Sequence, residues 1–165
     1  MLLKEMRELY AYDRWADMRM LQALEHATEA HWNQDLKSSH GGLHGTLHHL
    51  IGANVIWLQR WQGKPPQALK IDEVPTVASI KSVLESYHAD VQRFLDSLTQ
   101  ERLEGQIHYK DLKGNAYAQP LYQLMQHKVN HSTYHRGQVT AMLRMLGLQP
   151  IGTDLVTYYR EQLHG

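Results

Sequence analysis

Residues 119–146 read QPLYQLMQHKVNHSTYHRGQVTAMLRML. With Leu121 as the origin of a helical wheel, Leu124, Met125, Val139, Met142, Leu143 and Leu146 fall within about 60° of it at 100° per residue. The stretch therefore predicts one long amphipathic helix. His131 and His135 fall inside or beside its inward arc, and His127 falls at the edge. Residues four apart on a helix lie one turn above another, so this pair can grip a single metal ion from one side. Two imidazoles aimed into a core also need partners for their ring nitrogens, which a shared ion would supply.

The rest of the chain sets the limits. Its 165 residues, 42% hydrophobic and 21% charged, suit one globular domain spanning 1–165. Lys+Arg and Asp+Glu both number 17, which gives no reason to expect nucleic acid or an anionic membrane as partner. No cysteine is present, so thiolate metal sites, cysteine nucleophiles and disulfides are excluded. The N-terminal segment MLLKEMRELYAYDRW carries charges throughout and does not read as a secretory signal. No stretch approaches a membrane span, so the expected address is cytoplasmic. Histidine is the outlier, with 12 residues spread along the chain.

Outward from the long helix, residues 3–27 predict a first helix with Leu9, Tyr12, Trp15, Ala16, Met20, Ala23 and Leu24 inward. The polar stretch HWNQDLKSSHGG predicts a loop. A second helix over 43–62 carries three candidate ligands, His44, His48 and His49. The wheel leans towards His49, which shares a face with Ala53 and Ile56. PPQALKIDEVP predicts a long crossover loop, and Thr76 caps a third helix running to about Leu98. His88, without a histidine neighbour at helical spacing, reads as a surface or packing residue. QIHYKDLKGNAYAQP alternates with period two around a Lys113-Gly114-Asn115 turn and predicts a short β-hairpin or extended segment. Pro120 suits a first helical turn, Gly147 a helix end, and 154–162 a short last helix. The fold class is all-α, a four-helix bundle.

Chemistry follows from the donor set. A third histidine from the second helix would complete a three-imidazole site with an open position. Neutral imidazoles leave the ion's full charge in place to acidify a bound thiol or water, or to polarise a carbonyl. Ser132 follows His131 where zinc proteases place glutamate, so that mechanism of hydrolysis is disfavoured.

Several segments together resemble the DinB family of metal-binding bundles. They are NHSTYHRGQ (130–138) with VTAMLRMLG, LHGTLHHLIGANVIWLQR (43–60), YAYDRWADMRML, Asp111-Leu112-Lys113-Gly114, and GTDLVTYYR. The resemblance implies a DinB/YfiT-like bundle, a homodimer, and a metal triad of one second-helix histidine with the later pair. The family's Leu/Ile-x-x-Ala-acid-x-x-Trp register places His49 in that triad with His131 and His135. Asn54 stands where that register is usually acidic. The resemblance implies a divalent transition metal, zinc or nickel foremost, with iron, cobalt or copper as alternatives. It also implies thiol-dependent chemistry of the S-transferase, isomerase or hydrolase type, with a low-molecular-weight thiol as a possible substrate. The competing expectation is a non-catalytic stress-response bundle whose ion is structural or sensory. No catalytic residue is assigned. Tyr134 and Arg136 are candidates to orient an anionic substrate, with Arg136 read as a surface or dimer-contact residue.

Overall fold

The computed structural model describes residues 1–111 and 113–163. Leu112, quoted above in the hairpin turn, lies outside the described residues. Four long helices form the bundle: α1 (Leu3–Leu24), α3 (Leu43–Trp61), α4 (Val77–Asp96) and α6 (Leu121–Met145). Between them lie two short helices, α2 (Glu29–Asn33) and α5 (Gln100–Glu104), and an antiparallel pair, β1 (Gln106–Lys110) and β2 (Ala116–Pro120). A final helix, α7 (Leu155–Gln162), packs on α1. Helix α6 packs against both α1 and α3, and α4 packs against the same two from the other side.

The long helices form where the apolar spacing places them, and local chemistry sets their ends. Thr76 caps α4 as expected, its hydroxyl accepting from Ser79 N at 3.1 Å. Gly147, at φ +73°, supplies the left-handed residue that stops α6. Pro120 is the cap before α6 rather than a residue of its first turn, because its extended backbone (ψ 138°) still pairs with Gln106. The first helix ends at Leu24, three residues before Ala27. The inner faces meet in a core that includes Leu47, Leu50, Ile51, Leu84, Leu121 and Met125, all fully buried. Each such side chain contributes about 1.5–3 kcal/mol relative to exposure.

The crossover between α3 and α4 is strapped down by two of the surplus histidines. His44 Nε2 donates to the Val74 carbonyl (2.9 Å) and His48 Nε2 to the Leu69 carbonyl (2.8 Å). The Trp32 indole donates to the Pro75 carbonyl (2.8 Å). A long loop otherwise exposes unpaired backbone, and these donors fix its path.

Between α1 and α6 the core is ionic. Asp13 and Asp17 on α1 are fully buried, as is Lys128 on α6, and Arg136 is 1% exposed. Arg136 Nη1 donates to Asp13 Oδ1 (2.8 Å) and Asp17 Oδ1 (2.7 Å), and Nη2 donates to Thr133 Oγ1. Lys128 Nζ pairs with Asp13, and His88 Nε2 donates to Asp17 Oδ2 (3.0 Å). The expectation that Arg136 faces solvent or a dimer partner is therefore overturned. Two carboxylates one turn apart on α1 supply the counter-charge that lets its guanidinium enter the core. His88 takes the packing role of the two expected for it.

Burial by itself would raise the Asp17 pKa, but the Arg136 guanidinium and the hydrogen bond from His88 outweigh it and hold Asp17 well below the usual carboxylate value of 3.8. A depressed folded pKa gives stability that is present above that value and lost as pH falls below it. Urea unfolding should therefore show wild-type stability falling steeply below about pH 4, with a shallower fall in Asp17→Asn. Arg136→Met should cost about 3–5 kcal/mol at pH 7 by leaving two buried carboxylates short of a partner. A cost under about 1 kcal/mol would show that the network does not hold α6 to α1.

Candidate metal centre

With Arg136 turned to α1, the preceding residue on α6 faces roughly 100° away, towards α3. There His131 and His135 meet His49 of α3. His49 Nε2 lies 3.3 Å from His131 Nε2, and His135 Nε2 lies 3.1 Å from the same atom. Ligands about 2.0–2.1 Å from a tetrahedral ion sit about 3.3–3.4 Å apart, so these spacings suit a shared ion. His135 Nδ1 donates to Gln138 Oε1 (2.7 Å), leaving Nε2 as the free donor atom. His131 Nδ1 is buried and has no hydrogen-bond partner among the described residues.

The rings are tuned to be neutral. Burial, with the neighbouring histidines adding to it, pushes His49 and His131 down to about 4. Burial also lowers His135, against the hydrogen bond to Gln138. At neutral pH the lone pairs that a metal needs are available.

A fourth imidazole, His40, joins the cluster. His40, His49 and His135 each present a ligand atom within 4.8 Å of the others, a group that could hold a metal ion. The His40 ring, however, stacks on His49 with centroids 4.1 Å apart and planes 15° apart. Two nearly parallel rings at that separation cannot both aim in-plane lone pairs at one ion. His131 brings its Nε2 close to those of both His49 and His135, while the His40 ring lies against His49. The loop that carries His40 is built for close approach. Leu36 N and Ser38 N both donate to the Gly41 carbonyl, and a Cβ on Gly45 would lie 2.0 Å from the His40 carbonyl oxygen. His40 lies in the segment read from sequence only as a loop. Its one trace there is the glycine pattern 41, 42 and 45 around it.

The other candidates have separate places. His48 points to the strap described above. His127 stays outside the cluster, its ring edge on Trp57 at 5.4 Å. Tyr134 is 65% exposed, with its ring edge on His135 at 5.1 Å. Asn54 is fully buried and accepts a bond from Ser132 Oγ (3.3 Å), while its Nδ2 is unpartnered among the described residues. An amide at this position bonds the residue after His131, rather than adding negative charge near the rings.

Beside the cluster a cavity of about 490 Å³ opens between α3 and residues 68–71, with His40, His48 and His49 at one end and Arg60 at the other. A larger cavity of about 670 Å³ lies along α1, α6 and residues 150–155, but no histidine lines it.

Fold and site together define a helical bundle whose facing helices present a nitrogen donor set suited to a divalent ion. The DinB family model matches residues 1–163, and the chain belongs to that family. Protein DinB of Bacillus subtilis (strain 168) is 26% identical over 157 residues, covering 92% of this chain and 91% of that protein. The protein named "Uncharacterized protein YizA" from the same organism is 22% identical over 132 residues, covering 78% and 82% of the two chains. No described helix is long and apolar enough to cross a membrane.

Gly45 and Gly52 lie on the same helix and give opposite predictions. Gly45→Ala forces the His40 loop off α3 and should destabilise by about 1–3 kcal/mol. A Cβ on Gly52 meets nothing within 4 Å. Gly52→Ala should therefore be neutral or stabilise by up to about 1 kcal/mol through helix propensity. Thermal unfolding of the two variants checks the pair; equal effects would contradict this placement of the loop.

Proposed function

We propose that this chain is a divalent-metal-dependent enzyme of the DinB family, with His49, His131 and His135 as the metal ligands. The observation that carries this reading is the approach of His49 Nε2 and His135 Nε2 to within 3.3 Å and 3.1 Å of His131 Nε2, beside an accessible cavity. A bound ion would supply Lewis acidity, stabilising a thiolate or polarising a carbonyl. The reaction class that fits is thiol-dependent transfer or isomerisation, with zinc or nickel as the ion.

The chain's own residues supply the rest. Gln138 fixes the tautomer of His135, and His40 holds the plane of His49 by stacking. Helices α3 and α6 hold all three ligands, so the site is set by rigid elements rather than by loops. The core beneath the site pairs its charges without an ion, Arg136 and Lys128 meeting both aspartates, with Arg136 Nε the one guanidinium nitrogen left without a partner among the described residues. That favours a reactive ion over a structural one. A structural or sensory ion predicts a large loss of melting temperature on chelation, whereas a reactive one predicts a small change.

Protein prepared without a nickel column should bind one divalent ion per chain, measured by elemental analysis and by competition with a chromophoric chelator. His49→Ala, His131→Ala and His135→Ala should each abolish stoichiometric binding, and Gln138→Ala should weaken it about 10–100-fold. Retained tight binding in His131→Ala but not in His40→Ala would move the site to the other histidine group. Metal-loaded protein should consume a low-molecular-weight thiol in the presence of an electrophile, and His135→Ala should not. No thiol consumption across a broad panel would count against the transferase reading.

A further inference from the structure

The cavity beside the histidines is a groove along one face of α3. His49, Ala53, Ile56 and Arg60 recur at spacings of four, three and four, so they form one stripe about 16 Å long. Gly52 is buried, yet a Cβ there would meet nothing, so the floor of the groove is open space. Ala68, Leu69 and Ile71 of the strapped crossover form the facing wall. No carboxylate lines the groove, and Arg60 is its single cation among the described lining residues.

Arg60 is held in place. Its guanidinium carbon lies 4.7 Å over the Trp57 ring and 5.4 Å from that of Tyr109, and Nη2 donates to the Lys110 carbonyl (2.9 Å). Among the described residues no carboxylate lies within ion-pair distance of it. Asp111, whose carboxylate is held by Asn115 and Tyr117, acts on it only at longer range, so stacking and one hydrogen bond leave a planar edge of N–H donors, the geometry that a carboxylate matches. Arg136, the cation that sequence reading nominated for an anionic substrate, is spent in the core.

We propose that this groove is a carboxylate-anchored substrate subsite. It takes an elongated molecule whose apolar body lies on Gly52, Ala53, Ile56 and Trp57, whose carboxylate meets Arg60, and whose far end reaches His49. The assignment of that far end rests on the metal reading above; the anchor at Arg60 does not.

Octanoate and octan-1-ol, a matched pair with and without the anion, test the anchor. Each is titrated into the full chain, zinc-loaded and with chelator, and followed by amide shifts in a two-dimensional ¹H–¹⁵N spectrum. Octanoate should shift Gly52, Ala53 and the Trp57 indole in a saturable way, about 10–100-fold more tightly than octan-1-ol. Arg60→Gln should lower octanoate to the level of the alcohol, Arg60→Lys should retain part of the preference, and Gly52→Leu should remove binding of both. Equal octanoate affinity in wild type and Arg60→Gln, or shifts that map away from α3, would overturn the proposal. Octanoate binding as described in a chain that takes up no divalent ion would sink the metal reading and leave the anchor standing. Ion uptake without octanoate binding would overturn the anchor alone.

Discussion

The interaction on which the rest depends is the buried ion network between α1 and α6. Arg136 bridges Asp13 and Asp17, while Lys128 and His88 complete the set. Buried ion pairs are poor sources of net stability, because desolvation offsets much of the attraction. Their use here is rotational. An apolar stripe tolerates a helix turned by some tens of degrees, whereas a guanidinium with two carboxylates to satisfy does not. Fixing Arg136 towards α1 fixes His135, one residue earlier, towards α3. The network thus sets the angle at which the imidazoles meet.

Histidines take several distinct roles in this chain, and each follows from its neighbours. His44 and His48 tie the crossover to α3 through loop carbonyls. His88 feeds the ion network. His49 and His135 bring their Nε2 atoms against His131 Nε2, and His40 stacks on His49. Burial disfavours a charged ring at His49, His131 and His135, and a second charge beside a first would add repulsion, so the arrangement favours neutral rings with free lone pairs.

Much of this was legible in the sequence. The long helices, the Thr76 cap and the hairpin follow from periodicity and turn chemistry, which are local. The closeness of His131 and His135 follows from spacing of four, and the approach of His49, not His48, to them from the family register. What escaped was non-local. Arg136 stands about 60° from Leu121 on the same wheel, at the edge of the inward arc, yet reads as solvent-facing because arginine usually is; its pairing with Asp13 and Asp17 is what the sequence does not show. Those two aspartates are themselves spaced by four within YAYDRWAD, but their burial depends on a partner more than 100 residues away. His40 escaped for the same reason, since its loop acquires meaning only when folded back on Gly45. Arg60 stands last on a stripe that begins at His49, yet its role depends on a wall supplied by the crossover loop.

The proposed centre rests on His49, His131 and His135 holding one ion. Anomalous diffraction from crystals of the zinc-loaded protein tests it most directly. A single strong peak about 2.0–2.1 Å from the Nε2 atoms of those three residues, with His40 still stacked on His49, is expected. A peak coordinated by His40 in place of His131, or no peak between α3 and α6 in protein that binds zinc in solution, would contradict it.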